Sequence, residues 1–404
     1  MRKLFDRLRP RFEEHGKHAA YRGLFQLLDR FLYSSPNATI GAPHVRDANN
    51  VQRLMNYFVI ASIPCWLIGL WNLGEQTNFA MAQIGMTEAP GWRGTIMAAF
   101  GLGYNPQNVV ACFFHGFLYF LPIFLVALLT GAFWESIFAQ LRRRPVDEGL
   151  LAMAWLFALI MPATVPMYAV VLGMSFGIVV GKGIYGGMGR YLFSPVVLGF
   201  AFILFSFSDL FFGQGTWIPV PGYDEPTTVK LAIDEGGIAA LQAVDYHWWQ
   251  LFIGNQPGPI GITSILGCLL GAVFLIFSGM VSWRIMAGSL IGMIATVLLL
   301  NVLGPEDNPM FHVPWYWHFV IGGWAFATVF VATDPVAAAT TNPGRWGFGI
   351  LVGTLTIIVR VTNPSLFQGA VFAILLASVF SPLFDYFVME RNIKRRAQRA
   401  RVTT

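Results

Sequence analysis

Charge is what this sequence has least of. Only 12% of its 404 residues are Asp, Glu, Lys or Arg, against roughly 25% in an ordinary soluble domain. A water-soluble globule of this size is excluded, because too few charges exist to cover its surface. Cysteine is also sparse: Cys65, Cys112 and Cys268 stand far apart in apolar stretches, with no C-x-x-C pair or metal-ligand spacing. That argues against a disulfide framework or a zinc centre and leaves three small core residues. No apolar core of signal-peptide length follows Met1, so the amino terminus is expected to stay in the cytoplasm. The net charge of +5 comes from basic residues gathered at the chain ends and in short loops. With no groove or stripe of them, no nucleic-acid partner is expected.

What fills the chain is apolar. Hydrophobic residues make up 55% of it, with 36 Phe and 13 Trp, and the mean hydropathy is +0.58. A surface this apolar is tolerable only where lipid replaces water. Runs of about spanning length fall near 54–73, 116–140, 149–164, 166–182, 191–212, 261–280, 284–304, 314–333, 346–362 and 367–389. The expected fold is an all-α polytopic membrane protein of about ten transmembrane helices. Counted from a cytoplasmic amino terminus, alternation puts Arg142 to Arg144, Lys182, Arg190, Arg284, Arg345 and the basic run Arg391 to Arg401 on the cytoplasmic side. That is the distribution the positive-inside rule describes.

Segment 1–53 reads as a cytoplasmic piece in which Leu24, Phe25, Leu27, Leu28, Phe31 and Leu32 recur at helical spacing, suited to lie along a lipid surface or a partner. A first transmembrane half covers 54–212, an outer loop 213–260, a second half 261–389, and a basic cytoplasmic tail 390–404. An odd number of helices per half implies two inverted five-helix halves, a transporter plan with its site between them. No internal sequence repeat is visible.

The stretch from Gly173 to Arg190 is unusually rich in glycine, which suits either close helix packing or a broken helix lining a cavity. Ionisable residues in spans are costly and usually kept for function. Glu135, Glu148, Asp334 and Asp385 all fall toward the cytoplasmic face in this topology, where they read as a cation path or, alternatively, as caps and interfacial anchors. His115, His247, His312 and His318 sit in or beside spans and outer loops. Among Trp248, Trp249, Trp315, Tyr316 and Trp317 they read more as part of an aromatic belt than as haem ligands. In the outer loop, Thr227 and Thr228 follow Pro226 and read by themselves as an ordinary turn.

His44-Val-Arg-Asp47, Gly131-Ala-Phe-Trp-Glu135, the Gly173 to Arg190 stretch, Ser282-Trp-Arg-Ile285, Ala332-Thr-Asp-Pro-Val336, Arg360-Val-Thr-Asn-Pro364 and Leu383-Phe-Asp385 with the basic run after Glu390 resemble the B-subunit family of the sodium-translocating NADH:quinone oxidoreductases. The resemblance runs along almost the whole chain. It implies a bacterial inner-membrane complex with five other subunits (A, C, D, E and F), in which electrons pass from NADH to ubiquinone and sodium is exported. It implies a flavin mononucleotide (FMN) joined by a phosphoester to an outer-loop threonine. Counting from Gly222-Tyr223 places that residue at Thr227, with Thr228 the alternative, because Asp224, Glu225 and Pro226 replace the usual Ser-Gly-Ala. It implies quinone contacts at Gly131 and Phe202, with Ala132 in place of a second glycine, and a sodium path past Glu135, Asp334 and Asp385. For riboflavin, Tyr191-Leu-Phe-Ser194-Pro195 stands where the family reads Asn-Phe-Leu-Asn-Pro, which weighs against that site. The related D subunit of Rnf-type complexes is the alternative within the resemblance; a passive solute channel built on the same topology is the alternative outside it.

Overall fold

The computed structural model describes residues 51–142, 149–212, 216–223, 227–234, 236–305, 308–362 and 369–402, together with residues 7, 8, 10, 12 and 25. Most of the amino-terminal amphipathic segment, Arg143, Arg144 and Glu148 therefore lie outside the described residues, as do Asp224, Glu225 and Pro226. Every regular element among the described residues is a helix. Five are long and apolar enough to cross a membrane: α1 (Val51–Gln83), α3 (Val109–Arg142), α11 (Trp283–Leu303), α14 (Asn342–Thr362) and α15 (Gly369–Val402). At 1.5 Å per residue α1 is about 50 Å long, enough to cross the roughly 30 Å hydrocarbon core and reach past it. Pro64, Pro122 and Pro382 lie inside α1, α3 and α15, as a membrane tolerates when neighbours satisfy the freed carbonyls.

Between and after these run shorter helices: α2 (Trp92–Ala99), α4 (Leu150–Ile160), α5 (Met167–Phe176), α6 (Pro195–Ser206) and α10 (Ile265–Phe277). The span expected over 149–164 is thus a helix of 11 residues, about 16 Å long and half a membrane. Pro162 and Pro166 supply no backbone N–H and stop it. The span expected over 314–333 is broken. It forms α12 (Trp315–Val320) and α13 (Trp324–Phe326), parted by Gly322 and Gly323 at φ +68° and +69°, a region open to glycine and strained for other residues. Both α5 and α13 continue into a π-wound turn, Gly177–Gly183 and Ala327–Val331 respectively. Such turns often mark functional positions.

Small residues let the helices approach. At the α1–α10 seam Gly267 and Gly271 lie against the backbones of Cys65 and Ala61, and the free thiols of Cys65 and Cys268 meet at 3.6 Å. Gly349 and Gly353 of α14 rest in the same way on the carbonyls of Ile285 and Ser289 in α11, the close approach by which helices associate where lipid removes the hydrophobic drive. Outward faces stay apolar: Phe277 is 88% and Val302 82% exposed, a surface stable only against acyl chains.

The end of α1 and the residues before α2 fold onto the expected outer loop. Ala80, Met81 and Ala89 bury a small cluster with Ile218 and Val220. The 213–260 segment is not a bare loop, since it carries α7 (Thr228–Asp234), α8 (Ile238–Ala243) and α9 (Trp248–Ile253). At the carboxyl end α15 continues through 390–402 with no break in its described backbone.

Candidate functional site

Charge inside the bundle is confined to a few positions. Among the described residues the buried charged side chains are Glu135, Lys182, Asp334 and Arg360, and each is met by polar groups.

Glu135 lies on α3 one turn after Gly131. The absent side chain of Gly131 matters: a Cβ there would come 3.0 Å from Ile178 Cδ1 and 3.2 Å from Met174 Cε, so glycine lets α5 and its π-wound turn press against α3. That turn carries Lys182, whose ammonium forms an ion pair with the Glu135 carboxylate, the two side chains only 2% and 4% exposed. The Arg142 guanidinium donates to the Gly183 carbonyl at the end of the turn. On the other side of α5, Phe202 of α6 stacks on Phe176 at 4.4 Å and 14°. Gly131 and Phe202, the expected quinone positions, therefore flank one segment, 174–183, from two sides.

Asp334 follows the second π-wound turn. Its carboxylate accepts hydrogen bonds from Val336 N at 2.9 Å and from Tyr191 OH at 3.0 and 3.1 Å, with the Ser194 side chain bonded to it as well. Beside it is a cavity of about 20 Å³ walled by Met55 of α1, Met153 of α4, Tyr191, Ser194 and Phe330. A water needs about 10–15 Å³ of such space, so the cavity suits one or two waters or a small ion. It lies between helices of the first set and the π-wound turn of the second. In sequence, Tyr191 and Asp334 are 143 residues apart.

Asp385, on α15, is bound differently. Oδ2 accepts from the backbone N–H and hydroxyl of Thr340, both at 2.8 Å. Oδ1 accepts from the N–H of Thr341 at 2.9 Å and its hydroxyl at 2.5 Å. The carboxylate thus ties α15 to the start of α14, with all of its roughly four acceptor positions taken. Arg360 of α14 donates to the carbonyls of His318 at 2.9 Å and Gly322 at 3.1 Å, at the break between α12 and α13.

Glu135, Asp334 and Asp385 stand out in the sequence, whereas Lys182 reads there as a loop anchor and Arg360 only as part of a motif. The available signal for Lys182 is its place between Gly181 and Gly183 within an otherwise apolar stretch.

Residues 38–394 match the model of the NQR2, RnfD, RnfE family. The chain belongs to that family. Among proteins of known name it is 41% identical over 399 residues to the B subunit of the Na(+)-translocating NADH-quinone reductase of Chromohalobacter salexigens, covering 99% of this chain and 96% of the relative. It is 40% identical to the protein of the same name in Stutzerimonas stutzeri and 38% identical to that of Azotobacter vinelandii, each over 401 residues and 99% of both chains.

In this NQR2, RnfD, RnfE family member the two threonines Thr227 and Thr228 are held unequally. Thr228 donates its hydroxyl to Gln256 Oε1 at 3.0 Å. Gln256 is itself pinned, donating to the Thr263 carbonyl at 2.8 Å and accepting from Asn72 Nδ2 at 2.9 Å on its own carbonyl. Thr227 Oγ1 instead accepts one long bond, 3.3 Å, from Lys230 N in the first turn of α7, which does not use the hydroxyl hydrogen. Thr227 therefore fits a phosphoester better, since esterifying Thr228 would cost a buried hydrogen bond. Riboflavin fits poorly: the Tyr191 and Ser194 hydroxyls are turned to Asp334, and the space left beside them suits waters, not a three-ring isoalloxazine.

Proposed function

We propose that this chain is the B subunit of a sodium-translocating NADH:quinone reductase, the membrane part of a pump that couples electron transfer from NADH to ubiquinone with sodium export. The observation that carries this reading is the likeness to relatives of that name over 99% of the chain. The site geometry supports it, with buried carboxylates beside the two π-wound turns. We assign NADH oxidation to partner subunits, five in number (A, C, D, E and F).

We assign the sodium path to Glu135 and Asp334, whose oxygens suit a hard cation, and give Asp385 the role of holding the α14–α15 junction beside it. Quinone is assigned to the segment 174–183, which Gly131 and Phe202 flank from two sides. Thr227 is the residue that holds FMN, and the flavin, when bound, supplies one-electron and two-electron redox chemistry. The chain's own part is to fix the phosphate end at the residue before α7 and keep the neighbouring Thr228–Gln256 contact intact. The protein sits in the bacterial inner membrane with both termini cytoplasmic and the 213–260 segment outside.

The reading is tested by replacing the chromosomal gene for the B subunit in a sodium-pumping bacterium with the gene for this chain. Restored sodium-stimulated NADH:quinone reduction in membranes is expected, and assembly without that activity overturns it. A denaturing gel under ultraviolet light shows a fluorescent band at this chain if the flavin is covalent.

A further inference from the structure

We propose that the end of α15 is a docking surface for the acidic face of a water-soluble partner subunit, with Arg391, Arg395 and Arg396 as its contact residues. This rests on the reading of the chain as one subunit of a larger complex with its carboxyl terminus in the cytoplasm, and adds the place where a soluble partner is held.

Before residue 390, α15 has two faces. Phe384 packs on Gly347 of α14, where an added Cβ would come 3.0 Å from its ring, and Asp385 is tied to Thr340 and Thr341; these mark the side turned to the bundle. Leu383, Tyr386 and Phe387 are exposed and mark the side turned to lipid. Steps of seven and eleven residues are close to two and three whole helical turns, so each face can be followed past the apolar stretch. Arg391 and Arg395 stand seven and eleven residues after Phe384, and Asn392 and Arg396 seven and eleven after Asp385. Glu390 and Lys394 stand seven and eleven after Leu383, and Ile393 and Ala397 seven and eleven after Tyr386. The bundle side therefore runs out into arginine, and the lipid side into two apolar residues and an ion pair, in which Glu390 and Lys394 neutralise each other at 2.7 Å.

Residues 391–399 are all exposed, and among the described residues no acid pairs with Arg391, Arg395 or Arg396. Depth and sign decide what covers them. Counted from Phe387 at 1.5 Å per residue, Arg395 and Arg396 lie about 12 to 14 Å further along the axis, past a headgroup layer about 5–8 Å deep. Anionic headgroups would be met on the outward side, which is the side that carries no net charge. The amino-terminal segment of this chain has the wrong sign, with nine Lys and Arg against five Asp and Glu in its first 50 residues. A soluble protein presenting clustered Asp and Glu has the right one. Arginine also suits it better than lysine, because the planar fork takes a carboxylate through two parallel hydrogen bonds, and Arg391, Arg395 and Arg396 are all arginine.

The experiment places a photoreactive amino acid at position 395, and separately at position 397, of the full chain in the assembled complex in native membranes. Adducts formed on irradiation are identified by mass spectrometry and normalised to the amount of chain present. Position 395 is expected to join an Asp- and Glu-rich segment of a water-soluble subunit, and position 397 to join lipid or nothing. R391E combined with R396E should cut the adduct at position 395 about tenfold, equivalent to about 1.4 kcal/mol, while R391K combined with R396K keeps it. No adduct at position 395, an adduct there with phospholipid, with a membrane-embedded subunit or with this chain itself, or one that survives R391E with R396E overturns the docking proposal; copurification of the other subunits with the parent chain then leaves the subunit reading standing. If the parent chain copurifies with no other subunit, that reading fails and the proposal with it.

Discussion

Substitution of Asp385 separates a structural carboxylate from an ion-binding one. In Asp385→Asn one oxygen remains to accept from one threonine, while the new amide group faces the backbone N–H and hydroxyl of the other. The hydroxyl can rotate to accept; the N–H cannot, and only water can replace its partner. Losing a helix-start acceptor costs about 1 kcal/mol, and losing the negative charge at the start of α14 a further 0.3–1 kcal/mol or so. The expected loss is therefore about 1–2 kcal/mol at the α14–α15 junction, and Asp385→Ala, which removes all four acceptances, should exceed it. Trp346 on the first turns of α14 stacks edge-on to Trp283 at 5.5 Å and offers a fluorescence signal for thermal unfolding of that junction in detergent. Both variants should melt earlier, alanine first, with half-saturating sodium unchanged. An asparagine variant that melts with the parent and shifts half-saturating sodium would refute the reasoning and make Asp385 a cation ligand.

Other outcomes follow from the same geometry. Thr227→Ala should abolish the ultraviolet-fluorescent band while Thr228→Ala keeps it and lowers thermal stability by roughly 1 kcal/mol through the lost Gln256 contact; peptide mass spectrometry of the parent checks the attachment point. Tyr191→Phe deletes the hydroxyl that donates to both oxygens of Asp334, a charged-acceptor bond worth about 1.5–3 kcal/mol. Sodium-stimulated turnover should fall about tenfold or more, with Tyr191→Thr and Tyr191→Asn no better because neither shorter side chain reaches the carboxylate. Gly353→Leu should prevent accumulation of the protein, because its side chain would be driven into the Ser289 carbonyl across the α11–α14 seam; normal yield on a membrane immunoblot would count against that seam. A reporter joined after Lys230 should be active only outside the cytoplasm.

Much of the fold was readable because lipid makes a strong, one-dimensional demand: long apolar runs become helices, and α1, α3, α11, α14 and α15 fall where those runs lie. The breaks were harder to read. Pro162 and Pro166 announced a boundary, but nothing in the apolar content of 149–164 fixed α4 at half a membrane, and the division of 314–333 at Gly322 depends on backbone angles that hydropathy does not register. The π-wound turns were invisible for the same reason, since they differ from α-helix by hydrogen-bond register and not by composition.

The site was legible one residue at a time and not as a constellation. An acid in a span is conspicuous, so Glu135, Asp334 and Asp385 stood out. Their partners did not, because Lys182 lies 47 positions from Glu135 and Tyr191 lies far from Asp334 along the chain, and only packing of α5 on α3 and of one helix set on the other brings them together. The same packing separates the three carboxylates into different kinds: one ion-paired, one beside a cavity, and one fully engaged as a tie between helices.

Sodium transport by this chain, driven by quinone reduction with NADH in the assembled complex, is tested most directly in inverted membrane vesicles given NADH and radioactive sodium. Sodium should accumulate inside with the parent chain and fail to accumulate with Glu135→Gln while the complex still assembles. NADH-driven quinone reduction at the parent rate with no sodium uptake, or undiminished uptake in Glu135→Gln, would contradict that role.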